Sequence, residues 1–134
     1  MLSHKTYFDK LIKDIESVDA KSVVALVSEE GFVLSSNSPD EQADAQLAAM
    51  ASVFMDYGKK IFAIPGVTSD QMNEAVRTNV SVGDRRYVLV TQLAPHTFII
   101  VAGEDKNRIS VMMKKTLEYV DATAAMMQKK EIVF

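Results

Sequence analysis

The chain has no cysteine and no tryptophan, only five glycines and three prolines, and no surplus of basic residues. Without cysteine there is no disulfide and no thiolate nucleophile or ligand, which fits a reducing cytoplasm. The net charge of -3 leaves nothing to neutralise a phosphate backbone, so nucleic acid is not an expected partner. The glycines form no G-x-x-x-x-G-K pattern, so no P-loop nucleotide site is expected. The longest aliphatic runs, VVALV and FIIVA, are far too short to cross a bilayer. The opening residues MLSHKTYFDK hold no apolar segment of signal-peptide length. A cytoplasmic protein with no stable membrane anchor is expected.

What is present is a core. With 134 residues, 48% hydrophobic and 25% charged, the chain is expected to form one domain over 1–134 without covalent staples. The most informative stretch is Ser38 to Phe62, SPDEQADAQLAAMASVFMDYGKKIF. Ser38 is expected to cap a helix, Pro39 to take its first position, and Asp40 and Glu41 to complement its dipole. At helical spacing Ala43, Leu47, Met50, Ala51, Phe54, Gly58 and Ile61 share one side, the expected core face. The other side carries Ala45, Ala48, Ala49, Ser52, Val53 and Asp56, with no Lys or Arg between Glu41 and Gly58. A helix back facing water normally carries Lys and Glu. A back of Ala and Ser lets a second backbone approach.

Around this helix the pattern predicts a first helix over Thr6 to Ser17 and a strand over Lys21 to Ser28. A turn at Glu29-Glu30-Gly31 leads to a short strand, Phe32 to Asn37. After a loop stopped by Pro65 and Gly66, period-two alternation predicts a strand from Met72 to Val82. Hairpins then connect Arg86 to Leu93 and Thr97 to Gly103. A last helix, Asn107 to about Gln128, has Ile109, Met112, Met113, Thr116, Leu117, Val120, Ala124 and Met127 on one stripe. The uniformly apolar strands, SVVALV and FIIVA, should be central and adjacent. The prediction is an α+β fold, an α/β/α sandwich whose five-stranded antiparallel sheet has the order 2-1-5-4-3. The long helix takes one face, the first and last helices the other.

The third strand is then a long edge, and such edges are usually covered or used. Two copies joined through Met72 to Val82 would extend the sheet and set their long helices side by side. The expected two-fold interface comprises Ala45, Ala48, Ala49, Ser52, Val53 and Asp56 of the helix with Val76, Thr78 and Val80 of the strand.

Over Phe8 to about Met127 the chain resembles the Roadblock/dynein light chain 7 superfamily. The resemblance is carried by VVALVSEEGFVLSSN, the long Ala-rich helix, EAVRTNVSVGDRRYVLVTQL, FIIVAG and the closing helix, in that order. It implies a homodimer or a heterodimer with a related chain, sharing a sheet, and a small Ras-like GTPase as partner, bound for activation or scaffolding. In bacterial members of this type the GTPase docks on the paired long helices. Carried over, the docking positions are Glu41, Asp44, Met55, Tyr57, Lys59 and Lys60.

Nothing else in the chain has the spacing of a catalytic, cofactor or metal site, and none is expected. His4 and His96 read as solvent-exposed. Ser35, Ser36 and Ser38 read as turn and capping residues, and Glu29, Glu30, Glu104 and Asp105 as turn and helix-start carboxylates. Arg85 is the one candidate for an arginine finger, and a solvated hairpin tip explains it better. The rival reading is a profilin-like or sensor-type monomer that binds a small ligand or a cytoskeletal protein, with an apolar pocket between the sheet and Met50, Phe54 and Tyr57.

Overall fold

In the computed structural model of the chain, residues 3–66 and 76–134 are described. The elements in chain order are α1 (His4–Glu16), β1 (Val23–Ser28), β2 (Val33–Ser36), α2 (Glu41–Phe62), β3 (Thr78–Val82), β4 (Tyr87–Ala94), β5 (Thr97–Gly103) and α3 (Ile109–Gln128). A single 3-10 turn, Lys106–Arg108, leads into α3.

The strands form one antiparallel sheet in the order β2-β1-β5-β4-β3. This is the expected order, for the expected reason. β1 and β5 pair along their full length, from Val23–Ala102 to Ser28–Thr97, and their apolar side chains are covered on both faces. Leu26, Ile99 and Val101 point to one side and Ala25, Val27 and Ile100 to the other.

On the first side, α1 and α3 bury Tyr7, Phe8, Leu11, Ile12, Ile15 and Met112 against Val24, Leu26, Leu89 and Ile99. The C-terminal tail joins this core through Ile132, while Phe134 stacks on His4 and meets Phe8 at a tilt. Hydroxyl groups fasten the layer: Tyr7 to Thr123 at 2.5 Å, and Tyr119 to the Asp14 carboxylate at 2.5 Å. On the second side α2 is the one helix among the described residues, burying Ala48, Ala51 and Met55 against Val27, Val90, Phe98 and Ile100.

Three local expectations are corrected. The N-cap of α2 is Asp40, whose extended backbone lets its carboxylate accept from the N–H groups of Gln42 and Ala43. Ser38 instead bonds the Asp40 backbone in the preceding turn. In α3 it is Thr123 that is buried, while its neighbour Ala124 is exposed, because the Tyr7 hydroxyl gives Thr123 a partner inside. The third strand begins at Thr78; the part expected from Met72 to Ala75 lies outside the described residues.

Candidate protein-interaction surface

α2 crosses the whole sheet instead of running along it. Near its N-terminus Ser36 of β2 donates to the Asp44 carboxylate at 2.7 Å. Toward its C-terminus Asn79 of β3 donates to the Phe54 carbonyl at 2.6 Å. Ser36 and Asn79 lie in one transverse row, Ser36–Ala25–Ile100–Val90–Asn79, by the register of the pairs. The sequence permits this crossing through small residues at the contact, Ala48, Ala51 and Gly58. At Gly58 a Cβ would sit 2.7 Å from the Asn79 amide oxygen.

This crossing sorts the candidate residues. Ala48 and Met55, expected on an outer surface, are fully buried against the sheet, and Asp44 is closed in by Ser36. The inward stripe is therefore Asp44, Ala48, Ala51 and Met55, turned from the expected one toward its polar and small members. Val76, expected at the strand seam, is buried in the same core. Ala45, Ala49, Val53, Asp56, Glu41, Tyr57, Lys59 and Lys60 are exposed, and Ser52 is half-buried. Ala49 lies beside the β1–β2 turn, with Gly31 close to its backbone. Thr78 and Val80 are half-buried on the α3 side of β3, Thr78 bonded to Thr91 at 3.1 Å.

Sequence periodicity placed Met50 and Ile61 in the core; the structure puts them outside. Met50 is 59% exposed, Val53 45%, Tyr57 63% and Ile61 53%. They follow one another at helical spacing along the outer side of α2. Below them an open groove of about 310 Å³ runs between helix and sheet, lined by Leu47, Met50, Val53, Phe54, Tyr57, Ser81, Val88 and Ile100. Its walls are apolar. The missed signal was size: on a helix rich in alanine, the large apolar residues looked like the core.

The remaining polar groups are structural in their geometry. His96, at positive φ in the β4–β5 turn, meets Glu29 across the β1–β5 pair, and this carboxylate raises the imidazole pKa. The Asp19 carboxylate accepts from the backbone N–H groups of Glu104 and Asp105 at 3.0 and 3.2 Å and from the Tyr87 hydroxyl at 3.4 Å. Burial, and then that carboxylate, push the Tyr87 hydroxyl pKa up. Arg85 is exposed in the β3–β4 hairpin, where its carbonyl accepts from Lys106. Among the described residues no group of His, Cys, Asp and Glu is arranged to hold a metal, and no helix is long and apolar enough to cross a membrane.

A five-stranded antiparallel sheet between one transverse helix and a pair of helices places the chain in the α/β/α sandwich class. Residues 7–103 match the Roadblock/LC7 domain, and the chain belongs to that family. Its fold is similar to a Roadblock/LC7 domain from Streptomyces avermitilis, with TM-score 0.71 and 19% identity over 90% of this chain and 97% of that one. It is similar to the gliding protein MglB from Thermus thermophilus, with TM-score 0.70 and 13% identity over 93% and 94%. An MglB with a tetrameric arrangement gives TM-score 0.69 and 13% identity over 93% of each chain. At these identities the likeness is one of fold. No curated protein matches the chain.

Proposed function

We propose that the chain is a dimeric interaction module that binds a small Ras-like GTPase and regulates it without supplying a catalytic residue. The observation that carries this reading is the uncovered stripe Met50, Val53, Tyr57 and Ile61. Full burial of one large apolar side chain is worth about 1.5–3 kcal/mol, so four aligned on one helix are a strong incentive to associate. Membership of the Roadblock/LC7 family supports the choice of partner, since members of this type pair with small GTPases. The tetrameric arrangement of one MglB supports self-association as a habit of the fold.

In this reading two copies join at their β3 edges, through the strand that carries Thr78 and Val80. Because α2 crosses the sheet toward β3, the helix residues nearest the seam are Val53, Tyr57 and Ile61, with Ser52 and Asp56. Glu41, Lys59 and Lys60 remain open to the GTPase. The test is solution mass by light scattering across concentration, followed by GTP turnover of Ras-like GTPases from the same organism with and without the protein. A dimer persisting to low micromolar together with altered turnover is the expected result. A monomer throughout overturns the paired platform, and unchanged turnover with no binding overturns the choice of partner.

A second reading has its own support in the groove under Met50, Phe54 and Tyr57. A monomer of the profilin or sensor type would hold an apolar ligand there. A monomeric mass together with a ligand seated in that groove would favour it.

A further inference from the structure

Among the described residues a second uncovered face lies on the N-terminal half of α2, beside the β1–β2 turn. Ala45 and Ala49 are exposed on the helix flank there, and the β1–β2 turn abuts Ala49 through Gly31. The edge strand beside it is apolar where an edge is ordinarily charged: Phe32 is 68% exposed, Leu34 44% and Val33 37%. An irregularity in the β1–β2 pairing, where Leu26 faces Ser35 and Val27 faces Val33, leaves Leu34 as the extra residue. Such a bulge re-aims side chains and breaks the regular spacing of the ladder, so the edge is poorly suited to accept another strand. It is better suited to side-chain contact with a helix.

Charge decides what that helix carries. Glu30 next to Gly31 and Glu41 one turn before Ala45 are both exposed, and neither is in an ion pair among the described residues. No cation lies on α2 before Lys59. A second copy brought to this face by a two-fold axis would set these carboxylates against their own mates, and like charges across an interface are unfavourable. We propose that this face receives an amphipathic helix of a different protein, apolar on one side and bordered by Lys or Arg. The inference rests on the preceding reading of α2 as an interaction helix. It assigns the partner to the β2 end and the second copy to the β3 end.

The test uses the full chain, isotope-labelled, and a synthetic helical peptide with a leucine face bordered by lysines. The control is the same peptide with glutamate in place of lysine. The expected result is saturable shifts of the Gly31, Leu34, Ala45 and Ala49 amides with the lysine peptide alone. The double variant Glu30→Gln/Glu41→Gln should weaken that binding about tenfold, as expected for the loss of two surface ion pairs. Equal binding of the two peptides, no saturation, shifts centred on Met50 to Ile61, or full affinity in the double variant each overturn the proposal. Light scattering on the same samples reads the copy-to-copy association separately, so failure of the dimer and failure of this face are distinguishable.

Discussion

The two faces of the sheet are built by different rules. The α1/α3 face is closed with large side chains, among them Tyr7, Leu11, Ile15, Tyr87 and Met112. Its helices are tied together by Tyr7–Thr123, Tyr119–Asp14 and Lys115–Asp14. The α2 face is closed with alanines and one methionine, Leu47, Phe54 and Phe62 are half-buried beside them, and Met50, Val53, Tyr57 and Ile61 point away from the protein. The first face holds the fold together; the second holds the helix close to the sheet and leaves its outer side free for other molecules.

Truncation in the two layers should separate them most widely. Leu26→Ala, in the closed core, is expected to lower the unfolding free energy by about 2–5 kcal/mol. Met50→Ala, measured in dilute solution, is expected to change it by no more than about 0.5 kcal/mol. Urea denaturation of both variants decides the matter. Equal losses would mean that the α2 stripe is covered within a single copy.

The next largest effect is on association. Tyr57→Glu is expected to halve the solution mass by light scattering while leaving the urea midpoint within the range of ordinary surface changes. Ala49→Arg, on the other flank, is expected to leave the mass unchanged. If Ala49→Arg dissociates the protein and Tyr57→Glu does not, the two ends of α2 have been assigned the wrong way round.

Smaller still is the contact that sets the crossing of α2. Gly58→Ala should gain about 1 kcal/mol of helix propensity. Here it must displace the Asn79 amide, which lies too close for a Cβ and is bonded to the Phe54 carbonyl. The substitution is therefore expected to destabilise the native chain and to stabilise an Asn79→Ala background. A double-mutant cycle in urea measures the coupling. Additive effects would show that Asn79 moves aside at no cost.

How much of this was legible in the sequence follows the same division. The strand order could be read because VVALV and FIIVA are apolar on both sides, a pattern that only central strands need. The α1 stripe of Tyr7, Phe8, Leu11, Ile12 and Ile15 contrasts with Lys and Asp on its back, and all five are buried. On α2 that contrast fails. Alanines occupy several sides of the helix, and the inward stripe contains Asp44, whose partner Ser36 comes from another element. Periodicity also says which residues share a side, but nothing about the direction in which a helix crosses its sheet. That direction turns Ala48 and Met55, which the sequence had placed on an outer surface, into the sheet.

The smallest expected effect tests whether the ties of the closed face respond to acid. The Tyr119 hydroxyl donates to Asp14, and Lys115 lies 3.2 Å from the same carboxylate. These partners, the tyrosine bond first, hold the Asp14 pKa below the usual carboxylate value. A depressed folded value means that the unfolded chain binds the proton first as pH falls. The stabilisation is thus fully present above the unfolded value, about 3.9, and is lost as pH drops through the folded one. Tyr119→Phe is expected to flatten this acid limb of the stability curve and Lys115→Met to do so less. Tyr57→Phe, on the open face, should leave the limb unchanged. Since Asp14 is partly exposed, solvent screens the effect, and the readout is the slope of urea stability against pH below about 5, where unfolded carboxylates titrate. An unchanged slope in Tyr119→Phe would mean that the Tyr119–Asp14 bond adds nothing to the hold between the two helices, and that this tie does not distinguish the faces.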